Sequence, residues 1–515
     1  MREKWIRVIR SISCFLFFLV LGFITLVNRQ LFIEPLTDWV HGRATFQELV
    51  DIIQDEFVGK DVWQRNMFIN LNGAFARMTG RTNYNDVQLM NNGMLTYGTI
   101  EEPDLSVLME NIMRMQNFLK QRGIPFFFIM APFKVPIEGE VFPIGVNQYS
   151  NQYADTFMKM LSLKQVNTLD LRTEISKSIA DVEKYFYRTD HHWNTDGAFF
   201  AYQLVMRYLH ETIPIIEGTY TDKELWTRYE LPDWWLGSHG KRVGSHFASI
   251  DNLIYYLPNF ETNMSLAIPR HDLYYVGTFM DANVREKYLV EKDFFKHNSY
   301  CAYIGGDYPL ALHRNPDAPN KEKVLLIKDS FMLPLEAFIS TEFSEVMVID
   351  PRYYKESGIG NYIEWTKPNI VIMMINPSVL SGQDYTDFHF DNITEQTKKR
   401  IAEYSSIEIA GSIDKNNYYE IPLVLEADKV YTITIESIEP IIGETKGVSV
   451  QLYDFDEQER IDGTIFDIEY GIENGYEWTF MVPERDTRMG VLLFAGINNQ
   501  TQGNILDFQN IQIYQ

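Results

Sequence analysis

Two short stretches carry the side chains with which this chain would do chemistry. The first is Tyr187-Arg188-Thr189-Asp190-His191-His192-Trp193-Asn194, just ahead of an apolar helical run, AFFAYQLVMRYLHE. In an extended segment, residues i and i+2 project to the same side. Asp190 would then accept from one nitrogen of His192 and leave the other free as a base, the orienter–base half of a nucleophilic triad. The plainer reading is a histidine pair that caps or packs a helix start. The second stretch is LLIK-Asp329-Ser330-FMLP, in which an apolar strand delivers a serine to a turn and then a helix. Reactive groups collect at the carboxyl ends of strands in open α/β sheets, and a helix start aims backbone N–H groups at them. Here the plainer reading is an N-cap by Asp329 or Ser330, with Pro334 tolerated in the first turn.

An oxyanion hole needs at least two donors. The Ser330 backbone N–H is one, and Gly305, Gly306, Gly98 or Asn376 are candidates for the second, each also an ordinary turn residue. Lys134, Trp193, Arg352 and Tyr353 follow strand ends or flank the histidines and are candidates to touch a substrate. Adjacent His191 and His192 point apart, and no third ligand stands at metal spacing nearby, so no metal site is expected. With only Cys14 and Cys301, the chain has no disulfide framework and no cysteine zinc site.

The elements that must hold these residues read as α/β. DLSVLMENIMRMQNFLKQ (104–121) has helical spacing and is closed by Gly123. IPFFFIM (124–130), KVLLIK (323–328), VMVID (346–350) and NIVIMMIN (369–376) are unbroken apolar runs, as in strands buried on both faces. Strands alternating with helices imply a parallel sheet covered on both sides. Residues 214–320 are rich in Tyr, Trp, Gly and His without a period and read as a structured insertion or lid rather than a random loop, one that covers the site or braces the sheet. From 401 to 515 the chain alternates as strands do, with short turns between, which predicts an all-β sandwich. Trp478, Tyr453 and Tyr470 are its candidates for stacking on sugars.

At the N-terminus, Arg2, Lys4, Arg7 and Arg10 precede ISCFLFFLVLGFITLV (12–27), which holds no charge and is followed by no small-x-small cleavage site. This predicts an uncleaved transmembrane signal anchor with its N-terminus cytoplasmic and the rest of the chain outside. The formal net charge of −24 argues against nucleic acid as a partner. Residues 401–515 hold 6 Lys and Arg against 21 Asp and Glu, so −15 of that charge belongs to the C-terminal module. The expected organisation is an anchor over 1–30, an α/β domain over 31–400 and a carbohydrate-binding-like sandwich over 401–515.

Taken together, the motifs resemble the SGNH-hydrolase-like polysaccharide O-acetyltransferases of the alginate acetylation type, within them the DHHW-motif proteins. The resemblance runs from about residue 45 to about residue 380. It rests on FVGKDVWQRN, MAPFKVPIEGEVFP, YRTDHHWNTDGA, LGSHGKRVG, LLIKDSFMLP and VIDPRYY. The histidine block precedes the serine block, the reverse of ordinary SGNH esterases, and the spacing is Asp-x-His. The resemblance implies Ser330 as nucleophile, His192 rather than His191 as base, and Asp190 as its orienter. It implies acetyl transfer to a cell-surface or secreted polysaccharide with no bound cofactor, fed by a membrane acyltransferase of the MBOAT type. Two positions depart from the pattern. Lys328 stands where esterases carry glycine, and Asn376-Pro377 follows a strand where some relatives show arginine. The residues alone also leave open an acetylesterase with the same triad, or a non-catalytic glycan-binding surface protein.

Overall fold

The computed structural model describes residues 65–515 except 98–102, 147, 269–270, 272, 355–357, 382–399, 411–417, 424, 427–428, 443–447, 469–475, 483–487 and 495–504, plus isolated positions before 65. The anchor expected over 1–30, Gly98 and Tyr470 therefore lie outside the described residues, apart from a few positions of the anchor. Among the described residues no helix is long and apolar enough to cross a membrane.

The chain divides into two compact units. One contains described residues up to Asn85 with Arg242–Ala248; the other contains Asp86–Lys241 and Ser249–Gln515. In the first, the helix Arg65–Met78 passes so close to residue 243 that a Cβ on Gly73 would lie 2.0 Å from the Val243 carbonyl oxygen.

The second unit is built on one eight-stranded sheet. In chain order its elements are α1 (Ser106–Gln121), β1 (Phe126–Met130), α2 (Ser150–Leu163), β2 (Asn167–Asp170), α3 (Thr195–Thr212), β3 (Met264–Ile268) and β4 (Leu273–Gly277). There follow β5 (Leu310–Arg314), β6 (Asn320–Lys328), α4 (Met332–Glu342), β7 (Phe343–Ile349), α5 (Ile359–Thr366) and β8 (Ile370–Ile375). The strand order is β2-β1-β8-β6-β7-β5-β3-β4. The first five run parallel, and β5, β3 and β4 continue the sheet antiparallel.

Side-chain alternation explains why the apolar runs are unbroken. Phe127, Ile129, Leu326, Val348 and Ile372 enter the apolar layer that holds α3 and α4. Phe126, Phe128, Leu325, Ile349 and Met373 enter the opposite layer, with α1, α2 and α5. Both faces are covered, so a polar residue on either would be buried. Helix α1 ends as its glycine predicts: Gly123 has φ +69°, and Ile124 N–H closes back on the Leu119 carbonyl at 3.0 Å.

The insertion is structured, as expected, and its strands extend the sheet, though its composition showed no strand period. It contributes β3, β4 and β5 to the main sheet and forms a separate hairpin, Trp226–Trp235 with Asp251–Pro258. Beyond residue 400 the strands form two antiparallel sheets, of five and four strands. Trp478 is 2 % exposed within their apolar core. That corrects its assignment as a sugar-stacking face. Tyr453 is half-buried and packs edge-on against Phe455.

Candidate active site

Ser330 follows β6 by two residues, at the carboxyl end of a central strand, and α4 begins just after it. Asp329 ties this strand end to its neighbours. Its Oδ1 accepts from Phe331 N–H at 2.9 Å and its Oδ2 from Asn376 N–H at 2.6 Å. The Asn376 amide in turn donates to the Pro132 carbonyl at 2.7 Å, so the exits of β6, β8 and β1 are linked. Burial raises the Asp329 carboxyl to about 6, against the pull of Arg352 and of those two N–H donors.

The histidine segment is a tight loop ahead of α3. Phe186 and Trp193 form an isolated antiparallel bridge across its base. Asn194 caps α3, its side chain accepting from Gly197 N–H at 3.0 Å. Asp251 holds the loop from one side, accepting from the N–H groups of Arg188 and Thr189, both at 2.8 Å. Lys134 holds it from the other, its Nζ donating to the Arg188 carbonyl at 2.7 Å and the Asp190 carbonyl at 2.6 Å. Burial lowers the Lys134 ammonium to about 7, opposed by the charges of Asp251 and Asp190.

Within this loop Asp190 and His192 meet as their spacing predicts, though through a local turn rather than an extended run. Asp190 Oδ1 accepts both the His192 backbone N–H at 3.0 Å and the ring Nδ1–H at 2.6 Å. Its Oδ2 accepts from Ser238 N–H at 2.7 Å. Burial alone would raise the Asp190 carboxyl, but His191, His192 and these donors hold it well below the carboxylate range. His192 Nε2 lies 2.7 Å from Ser330 Oγ. Asp190, His192 and Ser330 thus form one continuous line of hydrogen bonds, with the proton assigned to Nδ1 from the carboxylate beside it.

Around His192 the packing is aromatic. Tyr300 stacks on it at 3.8 Å and 10°, and His191 lies at 3.7 Å and 37°. Burial, aided by the neighbouring His192, lowers His191 to about 3. Its Nδ1 pairs with Ser238 Oγ at 3.1 Å. The two histidines do not point apart as expected, and a third ligand is present: Asp190, His191 and His192 present one ligand atom each within 4.8 Å of one another, a group among the described residues that could hold a cation. Both nitrogens of His192 are already engaged with Asp190 and Ser330.

Other candidate residues are placed differently from expectation. Trp193 is fully buried, and its Nε1 donates to Tyr300 Oη at 3.2 Å, so it cannot meet a substrate. Lys134 is 1 % exposed and is a brace of the histidine loop. Asn376 spends its backbone N–H on Asp329, and Gly305 spends its own on the Tyr303 carbonyl at 2.7 Å, so neither amide is free for an oxyanion. Ser330 and Gly306 make no backbone N–H bond with the described residues. Arg352 is paired with Asp350 at 2.6 Å and Asp307 at 3.1 Å, while the neighbouring Tyr353 is exposed.

Lys328, the departure from glycine, is buried and donates to Asp307 at 2.7 Å. Burial alone would lower its ammonium, yet Asp307, Glu336 and Asp350 outweigh that and raise it. This ion pair draws the segment beginning at Gly305 toward the end of β6.

Three contributors escaped sequence reasoning: Gly237-Ser238, Asp251 and Tyr300. LGSHGKRVG was visible as a motif, but its function was not. A Cβ on Gly237 would lie 2.4 Å from Asp190 Cβ, so only glycine lets Ser238 N–H reach the carboxylate. Asp251 and Tyr300 lie far from the histidines in sequence and carry no local pattern.

The family described as SGNH hydrolase-like domain, acetyltransferase AlgX, matches residues 94–229. No curated protein sequence matches the chain. Among solved structures, Bacillus cereus PatB1 with a sulfonyl adduct is similar at 22% identity and TM-score 0.50, over 59% of this chain and 99% of that one. A DHHW family protein from Eubacterium siraeum aligns at 16% identity and TM-score 0.42, over 60% of this chain and 98% of that one. The O-acetyltransferase domain of Pseudomonas putida AlgJ aligns at 14% identity and TM-score 0.35, over 58% and 92%. The likeness to PatB1 supports the fold. The family match includes the whole Asp190–His192 loop and ends short of Ser330.

Proposed function

We propose that the chain is an extracytoplasmic O-acetyltransferase that modifies hydroxyls of a cell-surface or secreted polysaccharide through an acetyl-Ser330 intermediate. The observation that carries this reading is the Asp190–His192–Ser330 line, with contacts of 2.6 and 2.7 Å, at the carboxyl end of a central parallel strand. The match of residues 94–229, which hold Asp190 and His192, to an acetyltransferase-type family model supports acetyl as the group moved.

In the first half-reaction, Ser330 Oγ gives its proton to His192 Nε2 and attacks the acetyl carbonyl. The oxyanion that forms is met by the Ser330 N–H and, as second donor, the Gly306 N–H. Collapse breaks the bond to the donor's oxygen, which takes the proton from His192. In the second half, a sugar hydroxyl gives its proton to Nε2 and attacks the acetyl-serine carbonyl. Ser330 leaves and recovers its proton. Asp190 stays ionised throughout, as its lowered carboxyl requires, and stabilises the imidazolium twice per cycle.

The reading includes a single-pass anchor near residues 12–27 that keeps the N-terminus cytoplasmic, and an MBOAT-type membrane protein that supplies acetyl groups. The charge-free 16-residue run behind four basic residues supports the first. Any acceptor with accessible hydroxyls fits the chemistry.

The test is to supply an activated acetyl ester with and without oligosaccharides, then look for acetylated sugar and for an acetyl group on the Ser330 peptide. Both are expected. Free acetate alone with every acceptor would replace the transferase by an esterase, and an unmodified Ser330 would remove the mechanism.

A further inference from the structure

We propose that Tyr300, contributed by the insertion, is a positioning residue that fixes the base against the nucleophile. The proposal rests on the reading of Ser330 and His192 as nucleophile and base. Tyr300 lies in the short turn Ser299–Ala302 and is 5 % exposed. It touches both halves of the site at once. Its hydroxyl accepts from Trp193 Nε1 at 3.2 Å, next to His192, and lies 3.1 Å from the Phe331 carbonyl, next to Ser330, to which it donates. Its ring covers one face of the His192 imidazole, nearly parallel at 3.8 Å. His191 packs on the same imidazole at 3.7 Å. Tyr300 and His191 make no ring contact with each other, which puts them on opposite faces.

This arrangement supplies what the in-plane hydrogen bonds cannot. Asp190 and Ser330 hold the two nitrogens of His192, but a ring held only at its nitrogens can still tilt about the line joining them. Once Ser330 carries an acyl group, its hydroxyl proton is gone and the Nε2 contact with it. Asp190 and the stacked faces then hold the base for the second half-reaction. An offset stack adds attraction beyond its buried area, and that matters for a ring that must return to the same place each cycle. The hydroxyl bridge fixes the distance between histidine loop and serine turn, which come from segments 138 residues apart. Burial raises the phenol well above its ordinary range, so Tyr300 stays a neutral donor.

The experiment is the rate at which phenylmethylsulfonyl fluoride labels Ser330 in the full chain, read by intact mass, for the parent, Tyr300→Leu, Tyr300→Phe and Tyr300→Trp. Tyr300→Leu should label about tenfold to a hundredfold more slowly, the scale of a misplaced catalytic pair. Tyr300→Phe keeps the stack and should lose only a few-fold. Tyr300→Trp should recover part of what Leu loses. In acetyl transfer, the same variants should lower kcat while acceptor KM stays within about twofold. A Tyr300→Leu protein that labels at the parental rate, or a Phe variant as slow as Leu, overturns the proposal. If Tyr300→Leu does not fold, Tyr300→Phe decides alone: a few-fold slower labelling at parental melting temperature supports the bridge, and a parental rate removes it. Sulfonylation needs neither acetyl donor nor polysaccharide. A parent that labels but acetylates no sugar therefore loses the transferase reading and leaves this test standing. A parent that does not label at Ser330 sinks the nucleophile assignment and this proposal with it.

Discussion

At the scale of single residues, the site divides into groups that exchange protons and groups that hold them in place. Ser330→Ala or His192→Ala should lower kcat by about 10³-fold or more at unchanged fold, since each removes the relay as a unit. Asp190→Asn, which puts an amide beside Nδ1, should cost on the order of 10²–10⁴-fold. Lys134 gives the opposite signature from a substrate contact. Lys134→Met leaves two buried carbonyls without their donor, at about 1–3 kcal/mol of stability, and should lower kcat with acceptor KM unchanged. Asp329 makes a pH prediction. Its carboxyl is raised from 3.8 to about 6 by burial, so ionisation costs stability above pH 6. That cost is relieved as pH falls through 6 toward the unfolded value near 4. Asparagine has no charge to relieve. The melting temperature of Asp329→Asn relative to the parent should therefore fall as pH goes from 7 to 4, and a flat difference would refute the raised carboxyl.

At the scale of elements, the histidine loop is set by contacts from three places: the exit of β1 through Lys134, the start of the 251–258 strand through Asp251, and the 237–238 turn. Gly237→Ala tests the third. Its new Cβ would lie 2.6 Å from the Thr189 carbonyl oxygen and 2.7 Å from Asp190 Cα, so backbone must move. A stability loss of about 1–3 kcal/mol should come with a fall in kcat larger than Ser238→Ala gives, because Ser238 acts on Asp190 through its backbone N–H. In the C-terminal sheets, Trp478→Ala should cost about 3–5 kcal/mol in denaturant unfolding, as for a buried aromatic. A glycan-stacking role would instead show as lost sugar binding at full stability.

At the scale of the whole molecule, the charge of −24 is unevenly spread, with −15 in residues 401–515, so acidity describes the C-terminal module more than the site. The proposed anchor predicts that the full chain stays with membranes through an alkaline wash and is cleaved by protease added from outside; release by the wash would remove it. The strands of the parallel sheet and helix α1 were legible in sequence because a sheet buried on both faces demands unbroken apolar runs, and an amphipathic helix demands its 3.6-residue period. Asp190, His192 and Ser330 were legible because the aspartate and histidine are two residues apart and the serine follows an apolar strand. The insertion was legible as a structured segment but its strands were not, since β3, β4 and β5 draw their stability from neighbours in the sheet rather than from a local period. Nor was the true work of Lys134, Trp193 and Asn376, because a loop cation, an indole or an amide reads as a ligand contact until burial shows its hydrogen bonds already spent. Sequence alone determined the parallel strands, helix α1 and the chemistry available to them, all being local properties of residue type and spacing. Tertiary structure alone decided which donors are free, which side chains brace the loop and what faces the imidazole, because those depend on contacts between segments that local sequence does not encode.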